Sequence, residues 1–129
     1  MTVLLVDVAN TVGSRPDGWW RDRAGATTRL LDRLAPLVGA QLTGPDGAPV
    51  PVVALVAVVE GQARDVDAPA GVRLVRAPGN GDDALAAVAA ELAEGDDDLL
   101  VVTADRGLRD RLPVTARVTG PGWLLAAAG

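Results

Sequence analysis

Uninterrupted apolar runs of strand length constrain this chain more than any other feature. Thr2 to Val6, Val52 to Val59 and Leu99 to Thr103 are continuous rather than alternating, and acidic residues follow them: Asp7, Glu60 and, just past the third run, Asp105. A strand without a polar face must be covered on both sides, which is the condition of a parallel sheet between two helical layers. Weaker runs at Val72 to Val75 and Val114 to Val118 bring the expected strands to five.

Helical spacing fills the gaps. Leu30, Leu31, Leu34, Leu37 and Val38 mark a helix over Thr27 to Val38, and Leu85, Val88 and Leu92 mark another over Ala84 to Glu94, opened by Asp82 and Asp83. Arg106 to Leu112 reads as a short helix stopped by Pro113. Ala9 to Gly25 and Thr43 to Pro51, with their glycines and prolines, read as loops. Alternating strands and helices over 129 residues, with no internal repeat or composition shift, predict one α/β domain spanning residues 1–129.

Composition removes whole classes of chemistry. With no Cys there is no disulfide, thiolate nucleophile or thiolate zinc site, and with no His there is no imidazole base. Carboxylates and metal-bound water are the remaining acid–base apparatus. All twelve basic residues are Arg and the net charge is −5, so any contact with nucleic acid must be local. The longest apolar run, Val50 to Val59, is too short to span a bilayer, and Thr2 leads directly into a strand. The expectation is a soluble, unprocessed, cytoplasmic protein.

The acidic residues share a topological position. In a parallel sheet every strand points the same way, so Asp7, the Asp82-Asp83 helix start and Asp105 fall at one edge. Ligands of open α/β sheets bind outside the strand carboxyl ends, where strand order reverses. With the order 3-2-1-4-5, the first and fourth strands adjoin there and bring Asp7 beside Asp105. Each Asp alone serves equally well as a turn or cap residue. Clustered carboxylates repel unless a proton or cation offsets them, and an all-oxygen set suits Mg²⁺ or Mn²⁺. Asp7, Asp83 and Asp105 are the expected ligands, with Asp82 a further candidate.

The set Asp7-Val-Ala-Asn10, Gly81-Asp82-Asp83 and Thr103-Ala-Asp105-Arg-Gly-Leu108, in this order and strand context, resembles the PIN-like nuclease superfamily. Within it the set is most similar to the NYN group that includes YacP-like bacterial proteins. The resemblance spans Val3 to about Val118 and implies the sheet order 3-2-1-4-5. It also implies that Asp7, Asp83 and Asp105 hold one or two Mg²⁺ or Mn²⁺ ions, with Asp82 sharing the work of Asp83. Asn10 would orient a ligand or a metal-bound water, and Thr103 would bind phosphate or water. Many relatives carry another acid just after the last one, where this chain has Gly107.

Substrate contacts are expected from Arg15, Trp19, Trp20, Arg21 and Arg23, since guanidinium groups grip phosphate and indoles stack on unpaired bases. Arg106 is a further phosphate candidate. The same residues can instead pack on the core and pair with Asp17 and Asp22. The expected function is a metal-dependent endoribonuclease acting on single-stranded or structured RNA. The rival is an inactive fold of the same kind serving as an RNA- or protein-binding adaptor. A protein partner and a homodimer both stay open. Other phosphoryl-transfer sheets fit less well, because a receiver needs a Lys and a haloacid-dehalogenase-like phosphatase needs an acid where Ala9 stands.

Overall fold

In the computed structural model, which describes residues 1–15 and 17–129, six strands form one sheet. They are β1 (Thr2–Asp7), β2 (Gln41–Thr43), β3 (Pro49–Val59), β4 (Val72–Arg76), β5 (Asp98–Val102) and β6 (Arg117–Thr119). Five run parallel in the order β4-β3-β1-β5-β6, which is the expected 3-2-1-4-5 arrangement. The sixth, β2, was not expected: it pairs antiparallel with the start of β3 through a turn containing Gly47 at φ +83°. At eleven residues, β3 is long enough to hold β2 along its first part and β4 along its last.

Two cores flank the sheet. Leu4, Val6, Leu55, Ala57, Leu100 and Val102 face one layer, made of α1 (Val8–Gly13), α2 (Arg23–Leu34) and α5 (Pro121–Ala127). Leu5, Val56, Val58 and Val101 face α3 (Gly81–Ala93) and α4 (Arg106–Arg109). Alternate residues of one strand thus serve opposite cores, which is why the strands carry no polar stripe. The alternation shifts once, where the register passes from Thr2 opposite Val52 to Val3 opposite Ala54. The extra residue, Val53, is displaced toward solvent.

Several boundaries differ from expectation. The stretch read as a loop from Ala9 to Gly25 contains most of α1, a 3₁₀ turn at Trp19–Arg21 and the start of α2; Pro16 lies outside the described residues. Asp7 caps α1, its Oδ1 accepting from Asn10 N at 3.2 Å, while Thr11 Oγ1 donates to Asp7 O at 2.9 Å. Asp22 caps α2 in the same way, accepting from Gly25 N at 2.9 Å. The last strand is shorter than Val114 to Val118 because Val114 is fully exposed and only Arg117–Thr119 pair with β5. After Gly120, Pro121 opens α5, whose Trp123 Nε1 donates to Thr43 O at 3.0 Å. Among the described residues no helix is long and apolar enough to cross a membrane.

Candidate active site at the carboxyl edge of the sheet

The ends of β1, β3 and β5 and the start of α3 gather four carboxylates: Asp7, Glu60, Asp82 and Asp105. Asp7 is the most deeply set. Its Oδ1 accepts from Asn10 N, and its Oδ2 accepts from Thr103 Oγ1 at 2.9 Å. Burial holds its carboxyl above the ordinary value; those two bonds oppose the shift, and the charges of Asp82 and Glu60 add to it.

Thr103 is fully buried and committed on both sides. Its hydroxyl donates to Asp7 and accepts from Asp105 N at 3.2 Å, so one side chain sets the spacing of two acids. This corrects the expectation that Thr103 touches phosphate or water. Thr103→Val keeps the shape but leaves Asp7 Oδ2 and Asp105 N short of a partner. A stability loss of roughly 1–3 kcal/mol is expected in urea unfolding.

Asn10 is a strap. Its Oδ1 accepts from Ala104 N at 2.8 Å, fastening α1 to the segment that leads into α4. The orientation of Asp7 comes from the Asn10 backbone instead. Asp105 caps α4 through Oδ1, which accepts from Leu108 N at 3.1 Å. The same side chain neighbours Asp82.

The adjacent acids at the start of α3 part company. Asn80 caps this helix, its Oδ1 accepting from Asp82 N at 2.8 Å. Consecutive helical residues are about 100° apart around the axis. Asp82 therefore meets Asp105 at hydrogen-bonding range, whereas Asp83 pairs with Arg111 at 2.8 Å on the exposed side. Of the two acids expected at the helix start, the structure thus sets Asp82 beside Asp105 and leaves Asp83 on the outer side. Partial burial lifts the Asp82 carboxyl above its ordinary value, the charges of Asp105 and Glu60 and the contact with Asp105 lift it further, and Arg111 opposes the shift.

Glu60 was missed, although its position ending an apolar strand was a visible signal. Its carboxylate accepts from Gly81 N and rests where a Cβ on residue 81 would stand, so glycine is required there for the two elements to meet.

Among the described residues, no three acidic side chains converge as a closed metal cage. The donors nevertheless suit a hard cation. Two carboxylates meet, a third and a fourth lie close enough to raise their neighbours' proton affinity, and all donors are oxygen. Mg²⁺ commonly binds through one or two carboxylates and keeps several waters. Asp82 and Asp105 offer such a seat, with Asp7 beside it.

The expected substrate residues divide. Trp19 is half-buried against the core, with the Arg23 guanidinium 5.3 Å from its ring centre. It lines a cavity of about 280 Å³ that also includes Val8, Ala63 and Glu60, so an aromatic wall adjoins the acidic edge. Trp20 is exposed, edge-on to Trp19 at 6.1 Å and 5.9 Å from the Arg21 guanidinium carbon. Arg15 faces another way, 3.9 Å from Asp17. Arg106 stands exposed on α4, and no ion pair holds it among the described residues.

No protein-family model matches the sequence, and no curated protein matches it. The fold is similar to that of a solved structure, the W164L mutant of Rae1 (YacP) from Bacillus subtilis. The TM-score is 0.68 at 18% identity, over 99% of this chain and 75% of the other.

Proposed function

We propose that the chain is a PIN-like nuclease of the NYN type that cleaves RNA with Mg²⁺ or Mn²⁺ at its acidic edge. The observation that carries this reading is the Asp82–Asp105 contact with Asp7 and Glu60 beside it, an arrangement of like charge that calls for a cation or a proton. The Asp7, Asp82-Asp83 and Asp105 motifs, which resemble those of PIN-like nucleases, and the Rae1-like fold both support it. A divalent ion bound here supplies an activated water and neutralises charge on a phosphoryl group.

The protein's own contribution is placement. Thr103 bridges Asp7 and Asp105, the Asn10 strap holds α1 against the Ala104 turn, and Asn80 caps the helix start that carries Asp82. The Trp19 cavity offers a face on which an unpaired base stacks, and Trp20 offers a second, exposed face. These surfaces favour single-stranded RNA over a duplex, whose bases are already stacked.

The test is cleavage of a 5′-labelled single-stranded RNA by the purified full chain with Mn²⁺, with Mg²⁺ and with excess EDTA. Cleavage with either ion and none in EDTA is the expected result. Metal-independent cutting overturns the metal reading. No cutting with any ion, with RNA still bound, supports the second reading, a binding adaptor of the same fold. The lack of a three-carboxylate cage among the described residues favours that alternative.

A further inference from the structure

A second feature adjoins the Trp19 cavity, with which it shares Val12 of α1. Arg15, which follows α1, and Arg29 and Arg33 on α2 line one cavity of about 330 Å³, with Asp17 as the acid among them. Three guanidinium groups against one carboxylate leave a local excess of positive charge on a chain whose net charge is −5. Arg29 and Arg33 stand four residues apart on one helix face, where like charges are unfavourable for the helix. Among the described residues, neither forms an ion pair with a carboxylate, although Arg33 donates to Leu125 O at 3.5 Å.

A neighbouring groove begins beside the acidic edge and ends at a residue that Arg33 contacts. An open groove of about 490 Å³ starts at Asn10 and Ala104, passes Gly13 and Ser14, and reaches Leu125, the residue whose carbonyl Arg33 contacts. The wall between is α1, whose six residues span roughly 9 Å. A strand lying along the groove would start at Asn10, whose backbone N–H donates to Asp7, and at Leu125 would meet Arg33 and cross α1 toward Arg15 and Arg29.

We propose that the Arg15–Arg29–Arg33 cavity is a phosphate subsite that grips the backbone of single-stranded RNA beyond the cleavage position. The choice of RNA rests on the nuclease reading. The need for a polyanion rests on three arginines lining one cavity beside a single acid, since guanidinium groups provide forked donors matched to phosphate oxygens.

The test is binding of a fluorescein-labelled single-stranded RNA to the full chain in EDTA, by anisotropy across a salt series. Each lost phosphate contact lowers the slope of log affinity against log salt by about 0.7 for a single strand. Arg29→Gln/Arg33→Gln is therefore expected to lower the slope by about 1.4 and to weaken binding at low salt roughly tenfold. Arg29→Lys/Arg33→Lys is expected to restore the slope, because Lys keeps the charge while losing the fork. Circular dichroism of each variant checks the fold. An unchanged slope in the Gln variant, or no RNA binding by wild type, overturns the proposal. A preference for poly-glutamate over RNA overturns it in favour of an acidic polypeptide. A reduced slope in a protein that never cuts RNA keeps the subsite and removes the nuclease reading; cutting with an unchanged slope does the reverse.

Discussion

Asp7→Asn is expected to abolish Mn²⁺-dependent cleavage of single-stranded RNA, by about 10³-fold or more, while the protein stays folded. The size follows from what a cation seat contributes. Charge stabilisation by a catalytic metal amounts to several kcal/mol, and each 1.36 kcal/mol is a factor of ten in rate. Asparagine retains an oxygen that can accept from the Asn10 N–H, but it removes one of the negative charges gathered at the acidic edge. The Thr103 hydroxyl, which donates to Asp7 Oδ2 in the wild type, can reverse and accept from the new amide. Loss of activity without loss of fold is the expected signature, read as cleavage rate beside a thermal melt.

The pH dependence of stability carries a definite sign. Burial, the first cause, holds the Asp7 carboxyl above its ordinary value, so the folded state binds this proton more tightly than the unfolded chain does. That contribution is fully present at pH below the unfolded value and is lost as pH rises through the higher folded value. Above it, the metal-free protein carries an unfavourable buried charge. Asp7→Asn removes the titration, so the variant's metal-free melting temperature is expected to hold or gain relative to wild type as pH rises from 4 toward 8. A steep loss confined to the variant at high pH contradicts this account of the acidic edge.

The parallel core was legible because its strands state both faces at once. Leu4 and Leu5, Ala57 and Val58, or Val101 and Val102 are neighbours that serve opposite cores, so a continuous apolar run leaves little alternative to a two-sided sheet. The acids after those runs mark the carboxyl edge by the same logic. Glu60 carries the same signal as Asp7, since it directly follows β3 while Asp7 ends β1. Short elements stayed hidden because they depend on contacts rather than periodicity. The six residues of α1 are held by the Asp7 cap, the Thr11 hydroxyl and packing of Val8 and Val12, while the three residues of β2 depend on the length of β3. At α5, the Gly120-Pro121-Gly122 run has the composition of a turn, yet Pro in the first turn ahead of Trp, Leu and Ala is also a helix start.

The inner acid of the Asp82-Asp83 pair is a question of helix phase, which residue types alone leave undetermined, and here the second large effect arises. Asp82→Asn is expected to lower metal-dependent cleavage about 100-fold or more, whereas Asp83→Asn leaves it within about twofold, given that one charge of a metal seat is worth several kcal/mol and an exposed ion pair at most about 1. The stability effects run oppositely. Asp83→Asn gives up the exposed Arg111 pair, a loss below about 1 kcal/mol. Asp82→Asn replaces a meeting of two carboxylates with an amide that can donate to Asp105, so the metal-free protein gains stability at neutral pH. Mn²⁺ should then raise the melting temperature of wild type and Asp83→Asn but not of Asp82→Asn. If Asp83→Asn were the inactive variant, α3 would have to be rotated so that Arg111 sat at the acidic edge, and the cation seat would lie on the other side of the helix. Cleavage and melting of the two variants side by side decide which face of α3 does the chemistry.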